Sequence, residues 1–125
     1  MEQGILERLS ARWWDEVWGA GDLDVLDDIL TDPFTRHTAD GTFTAPRAEY
    51  KQLLRGTQNT LRGVTTTIDD RQFGHDRIWT RATSRGVNLQ TGDPVVISWL
   101  LVQRVEGGRF AEHWLLTARG VDWTR

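Results

Sequence analysis

The stretch from Pro94 to Val105 is apolar on both of its faces: Val95, Ile97, Trp99 and Leu101 alternate with Val96, Ser98, Leu100 and Val102. Successive side chains of a strand point to opposite sides, so a strand of this composition needs cover on both. An open sheet with one wet face is thereby excluded. Helices can cover one side. A partner subunit is the simplest cover for the other, and a homodimer is expected.

The surrounding chain supplies both layers. Val64 to Phe73, Arg77 to Leu89 and Arg109 to Ala118 are further runs rich in Thr, Val, Ile and Trp. Gly-His-Asp, Gln-Thr-Gly-Asp and Glu-Gly-Gly turns separate the four runs, which read as an antiparallel meander. Ahead of them, Leu6, Leu9, Trp13 and Val17 recur at helical spacing over Ile5 to Ala20, with Trp14 and Trp18 on one flank of that stripe. Gly19-Ala20-Gly21 breaks this helix. Asp22 is placed to cap a second, short helix carrying Leu23, Leu26, Ile29 and Leu30, which Pro33 ends. Phe34 to Ala39 and Thr42 to Ala45 flank an Asp40-Gly41 hairpin turn. Pro46 then suits the first turn of a third helix, with Tyr50, Leu54, Thr57 and Leu61 sharing a face until Gly63. Helices first and a meander afterwards make one α+β domain over residues 1–125, an antiparallel sheet packed by about three N-terminal helices.

Composition removes several function classes. The chain has no Cys, which excludes disulfides, thiolate metal sites and cysteine nucleophiles. Its net charge is -3 and its arginines are dispersed, so it lacks the clustered basic face of a nucleic-acid binder. No apolar run nears the roughly 20 residues of a membrane helix. Met1 to Ser10 reads as amphipathic helix rather than signal peptide, and a cytoplasmic protein is expected. There is no glycine-rich phosphate loop, and Ser98 lacks the strand-turn-helix elbow of a hydrolase. The three histidines do not show zinc-site spacing, so neither metal nor cofactor is expected. Seven Trp beside one Tyr and four Phe exceed what a core of this size needs. Large, rigid indoles suit the wall of a pocket for a hydrophobic small molecule.

Two stretches carry a family resemblance. Trp13-Trp14-Asp15-Glu16-Val17-Trp18, then Gly21-Asp22-Leu23-Asp24-Val25-Leu26 and His37, resemble the opening of SnoaL-like polyketide cyclases. Arg104-Val105-Glu106-Gly107-Gly108-Arg109-Phe110-Ala111-Glu112-His113-Trp114 resembles that family's close. The resemblance spans nearly the whole chain. It implies a nuclear transport factor two-like fold, a cone-shaped curved sheet packed by helices. It also implies cofactor-independent secondary metabolism on a hydrophobic, oxygenated substrate, by proton-transfer-driven cyclisation, isomerisation or dehydration. Two departures stand out. The family's acid-base aspartate, four residues after Trp114, is Ala118 here. In the related limonene-epoxide hydrolases an arginine and an aspartate stand two apart, where this chain has Arg81-Ala82-Thr83. A non-catalytic module for a hydrophobic metabolite and an epoxide-opening enzyme are therefore the alternatives.

His37 is expected where the first strand opens toward the cavity, as acid or base, against a structural histidine bonded to a neighbouring carbonyl. His113 alternates with Glu112 and Trp114, so it faces away from them, in a core, interface or catalytic position. His75, in a turn, is expected in solvent. Arg81 sits mid-strand and needs an anion: Glu112 is the expected partner, with oxyanion stabilisation as its functional reading. Trp14, Trp18, Trp79, Trp99 and Trp114 are candidates for the pocket wall. Tyr50 and Leu54 are candidates for its mouth.

Overall fold

The computed structural model describes residues 3–124. Met1 and Glu2, which head the expected first segment, and Arg125, which ends the expected domain, lie outside the described residues. Helix α1 covers Gln3–Ala11 and continues as a π-helical segment over Arg12–Gly19. A 3-10 turn at Leu23–Val25 leads into α2, Leu26–Ile29. Strands β1 (Leu30–Thr38) and β2 (Gly41–Ala45) form the expected hairpin, and α3 spans Arg47–Gln58. The meander follows as β3 (Leu61–Phe73), β4 (Arg77–Asn88), β5 (Pro94–Glu106) and β6 (Arg109–Arg119).

The sheet order is β2-β1-β6-β5-β4-β3. All neighbours pair antiparallel except β1 and β6, which run parallel. The sheet is therefore mixed, where an antiparallel one is expected from the sequence. Parallel partners need a long connection, and the chain between β1 and β6 supplies it, but such distant pairing leaves no local mark. Register shifts in β3, in β1 against β6 and between Arg104 and Val105 are the irregularities that bend strands, and the sheet is curved and unclosed.

Three local expectations are corrected. The first helix is not uniformly α: Ala20 N–H donates to the Asp15 carbonyl at 2.9 Å, and Asp22 N–H reaches the Glu16 carbonyl at 2.9 Å. This wider turn brings Trp13, Trp14, Val17 and Trp18 to one side, so Trp14 and Trp18 join the core stripe instead of flanking it. Pro33 does not end the second helix; it lies beyond Ile29, inside β1, where the register with β6 shifts between Leu30 and Thr35. Leu61 belongs to β3 rather than to α3, which stops at Gln58.

Helices pack on the concave face of the sheet. Trp13, fully buried, lies within 6.5 Å of the rings of Trp14, Trp18, Tyr50, Phe110 and His113. Ile78, Ala82, Trp99, Leu101 and Val105 complete the core from the strands. The opposite face carries Trp79, Leu100, Val102, Trp114 and Leu116. Of these, Trp79 and Leu100 are each 44% exposed and Leu116 is 53% exposed. Part of this outer face is covered by the chain's own end: the Ser98 hydroxyl donates to the Val121 carbonyl at 2.7 Å, and Arg85 pairs with Asp122 at 2.7 Å. No helix among the described residues is long and apolar enough to cross a membrane.

Candidate functional site

A cavity of about 490 Å³ opens between the π-helical segment, α3 and the concave sheet. Its wall is built by alternation and helical pitch. On α3, Tyr50, Leu54, Thr57 and Gln58 face inward with Leu53 at the rim; on the sheet, Leu61, Val64, Ile97, Trp99 and Leu115 supply the apolar floor. Trp18 closes it from the π-helical segment, its ring edge-on to Trp99 at 4.9 Å. The Trp99 indole N–H is fixed by donation to Ser84 Oγ at 2.9 Å, and that hydroxyl also shares a hydrogen bond with Thr66 at 2.8 Å. The Trp99 ring is thus anchored at its N–H by Ser84 and packed edge-on by Trp18. Gly21, at φ +71°, makes the tight turn that lets the chain pass the cavity rim, where Gln58 Nε2 donates to its carbonyl at 2.9 Å.

The polar side chains on this wall are Arg36, Tyr50, Thr57, Gln58, Arg62, Ser84 and Thr117; among the described residues no Asp, Glu or His lines it. Burial pushes the Tyr50 hydroxyl well above its usual range, so it remains a neutral donor at any physiological pH. Arg36 stacks over Phe43 at 5.4 Å and over Tyr50 at 5.0 Å.

Trp18 and Trp99 line this cavity, and Tyr50 and Leu54, expected at its mouth, are buried in its wall while Leu53 takes the rim. Trp14 does not line the cavity; it backs Trp99 edge-on at 5.5 Å. Trp79 and Trp114 are on the outer face, because Ile78 and His113 take the inward positions beside them. His37 is also outside. Phe34 is buried on the concave side, so the alternation puts Arg36 with it and turns His37 away. There the His37 Nε2 meets Glu112 Oε2 at 2.5 Å, Nδ1 meets Thr42 Oγ1 at 2.9 Å, and the ring stacks on Trp114 at 5.0 Å. Glu112 also accepts from Arg104 Nε at 2.9 Å. The His37 and Arg104 contacts hold the Glu112 carboxyl below the usual range against its partial burial.

The expected Arg81–Glu112 pair does not form. Asp70 stands directly opposite Arg81 in the β3–β4 register and takes it at 2.9 Å, while β5 separates Arg81 from Glu112. His113 is 1% exposed, caged by Trp13, Phe34 and Tyr50, and neither ring nitrogen has a partner among the described residues. Burial pushes this imidazole down to about 3, and the nearby Arg36 guanidinium adds to the effect. Among the described residues no three His, Asp or Glu side chains gather as a metal site.

Arg36 is the residue that sequence reasoning missed. The signal was present in its parity with Phe34, one position away from the histidine to which the family resemblance draws attention.

The architecture has well-populated company. IdmH of Streptomyces antibioticus, a candidate polyketide cyclase, is 24% identical over 89% of this chain and 90% of its own, with a TM-score of 0.75. TsrD from Streptomyces laurentii is 18% identical over 94% and 90%, at 0.81. An NTF2-like protein of Anabaena variabilis is 15% identical over 96% and 90%, at 0.77. No curated protein sequence matches significantly. The profile of the SnoaL-like domain matches residues 11–113, which take in the π-helical segment, most of the cavity wall and most of the sheet, and the chain belongs to the SnoaL-like family.

Proposed function

We propose that this chain is a cofactor-independent enzyme of secondary metabolism. It takes a hydrophobic, oxygenated small molecule into the concave cavity and promotes its cyclisation or isomerisation there. The observation that carries this reading is the wall itself: Trp18, Trp99, Leu54 and Leu115 surround a space of substrate size, and the neutral Tyr50 hydroxyl and the Arg36 guanidinium are donors at its edge. Burying an apolar ligand against these rings supplies affinity, and a fixed conformation lowers the entropy cost of ring closure. The two donors favour negative charge developing on a substrate oxygen. With no carboxylate or imidazole among the described residues of the wall, Tyr50 is placed to steady that oxygen with a hydrogen bond from its neutral hydroxyl, at the site where His37 was expected.

The same lack of a wall carboxylate favours a second reading, a binder that shields its ligand without changing it. Mass spectrometry of ligand retained by native protein, followed by incubation and chromatography, separates the two. Conversion of the retained molecule, slowed about 100-fold by Tyr50→Phe with little change in affinity, supports the enzyme. Tight retention without conversion supports the binder, and an empty cavity under all conditions removes both.

We further propose that the chain works as a homodimer through the outer face of its sheet. Trp79, Leu100 and Leu116 leave there an apolar surface that a second copy of the same face would cover.

A further inference from the structure

Arg36 borders a mainly apolar cavity, yet among the described residues it has no carboxylate within ion-pair distance and makes no side-chain hydrogen bond. Arg81, Arg85 and Arg104, which also sit within the sheet, hold Asp70, Asp122 and Glu112 respectively. The described residues that stand beside Arg36 on β2, β6 and α3 carry no compensating charge. Across β2 stands Phe43, across β6 stands His113, and from α3 comes Tyr50. The two rings lie against the guanidinium and stabilise it as a cation, but they accept none of its planar N–H donors. His113 is buried and neutral. The nearest acid along β6, Glu112, is on the other face and already engaged by His37 and Arg104. Arg62, the other charged side chain on the wall, is also a cation.

A half-desolvated guanidinium in such surroundings is costly unless an anion completes it. Its fixed fork of parallel donors matches a planar carboxylate with two hydrogen bonds. We infer that the ligand of this cavity is a carboxylic acid, with its carboxylate on Arg36 and its hydrophobic body against Trp18, Trp99 and Leu115. The inference rests on the cavity being the ligand site and adds the chemical class of what enters.

The test uses the full chain with cis-parinaric acid, a fluorescent polyene carboxylate, and its methyl ester, titrated at low ionic strength. The acid is expected to bind at least about tenfold more tightly than the ester, as a charge-assisted pair implies. In Arg36→Leu that preference disappears while ester affinity changes by about twofold or less, and Arg36→Lys retains part of it. Equal binding of acid and ester by the unmodified protein overturns the inference and leaves the hydrophobic cavity reading intact. An acid preference that survives in folded Arg36→Leu overturns it as well. Failure of both probes to bind removes the cavity reading and this inference together. The comparison on unmodified protein decides the matter even where Arg36→Leu does not fold.

Discussion

His37 Nε2 and Glu112 Oε2 stand 2.5 Å apart on the face of the sheet turned away from the cavity. This contact joins β1 to β6, the one parallel pair in the sheet, and Arg104 extends it to β5. The pair is thus placed to hold the sheet together rather than to touch a ligand. His37→Gln is predicted to lower stability by about 1–2 kcal/mol, as expected for loss of a charge-assisted hydrogen bond. Affinity for a cavity ligand should change by about twofold or less. Denaturant unfolding and fluorescence titration of the same sample check both halves; an affinity loss of about 100-fold with unchanged stability would return His37 to the site.

Acid should weaken the same contact through Glu112. Its folded-state pKa lies below the unfolded value near 4.5, so its contribution is complete above that pH and fades as pH falls through the folded value. Glu112→Gln is predicted to reduce stability at pH 7 and to flatten the stability profile below about pH 4.5. Urea unfolding midpoints from pH 7 to pH 3 would show a converging pair of curves, and parallel curves would contradict the assignment.

His113 gives a second, wider window. The imidazole binds its proton at about 6.5 in the unfolded chain and at about 3 in the folded one. Unfolding therefore takes up a proton, and stability present above pH 6.5 is lost progressively between 6.5 and 3. His113→Phe fits a cage of Trp13, Phe34 and Tyr50 and removes two unpartnered nitrogens. It is predicted to be neutral or stabilising at pH 7 and to become relatively more stabilising by a few kcal/mol at pH 4. Thermal unfolding at both pH values checks this; a variant destabilised equally at each would show that the ring makes a bond of its own.

How much of this was legible in the residues depends on the range of the contact. The meander from β3 to β6 appears in the sequence because turns and alternation are local, and the two-sided apolar character of Pro94–Val105 announces an outer face in need of cover. The parallel β1–β6 pair is a long-range event with no local signature. The π-helical turn replaces one regular spacing by another, so the sequence stripe points Trp14 a step away from where it packs. His37 was misplaced by a single residue of parity: Phe34 marks the inward face, and reading Arg36 with it would have located the cavity's cation. Asp70 escaped notice as the partner of Arg81 because a bulge between Ile68 and Asp70 resets which acid of Asp69 and Asp70 stands opposite.

The outer face yields a separate prediction. Leu100 and Leu116 are cross-strand neighbours, both substantially exposed. Leu116→Glu should turn a dimer at micromolar concentration into a monomer without lowering the stability of the fold by more than about 1 kcal/mol. Sedimentation velocity measures the first effect. A monomer before any substitution would remove the dimer.

The central claim is that ligand enters the concave cavity and not the outer face. Photo-crosslinking the full chain with a diazirine-bearing fatty acid, followed by residue-level mass spectrometry, tests it directly. The account predicts adducts on Trp18, Tyr50, Leu54 or Leu115, suppressed by excess unlabelled cis-parinaric acid. Competable adducts confined to His37, Trp79, Trp114 or Leu116 would contradict it.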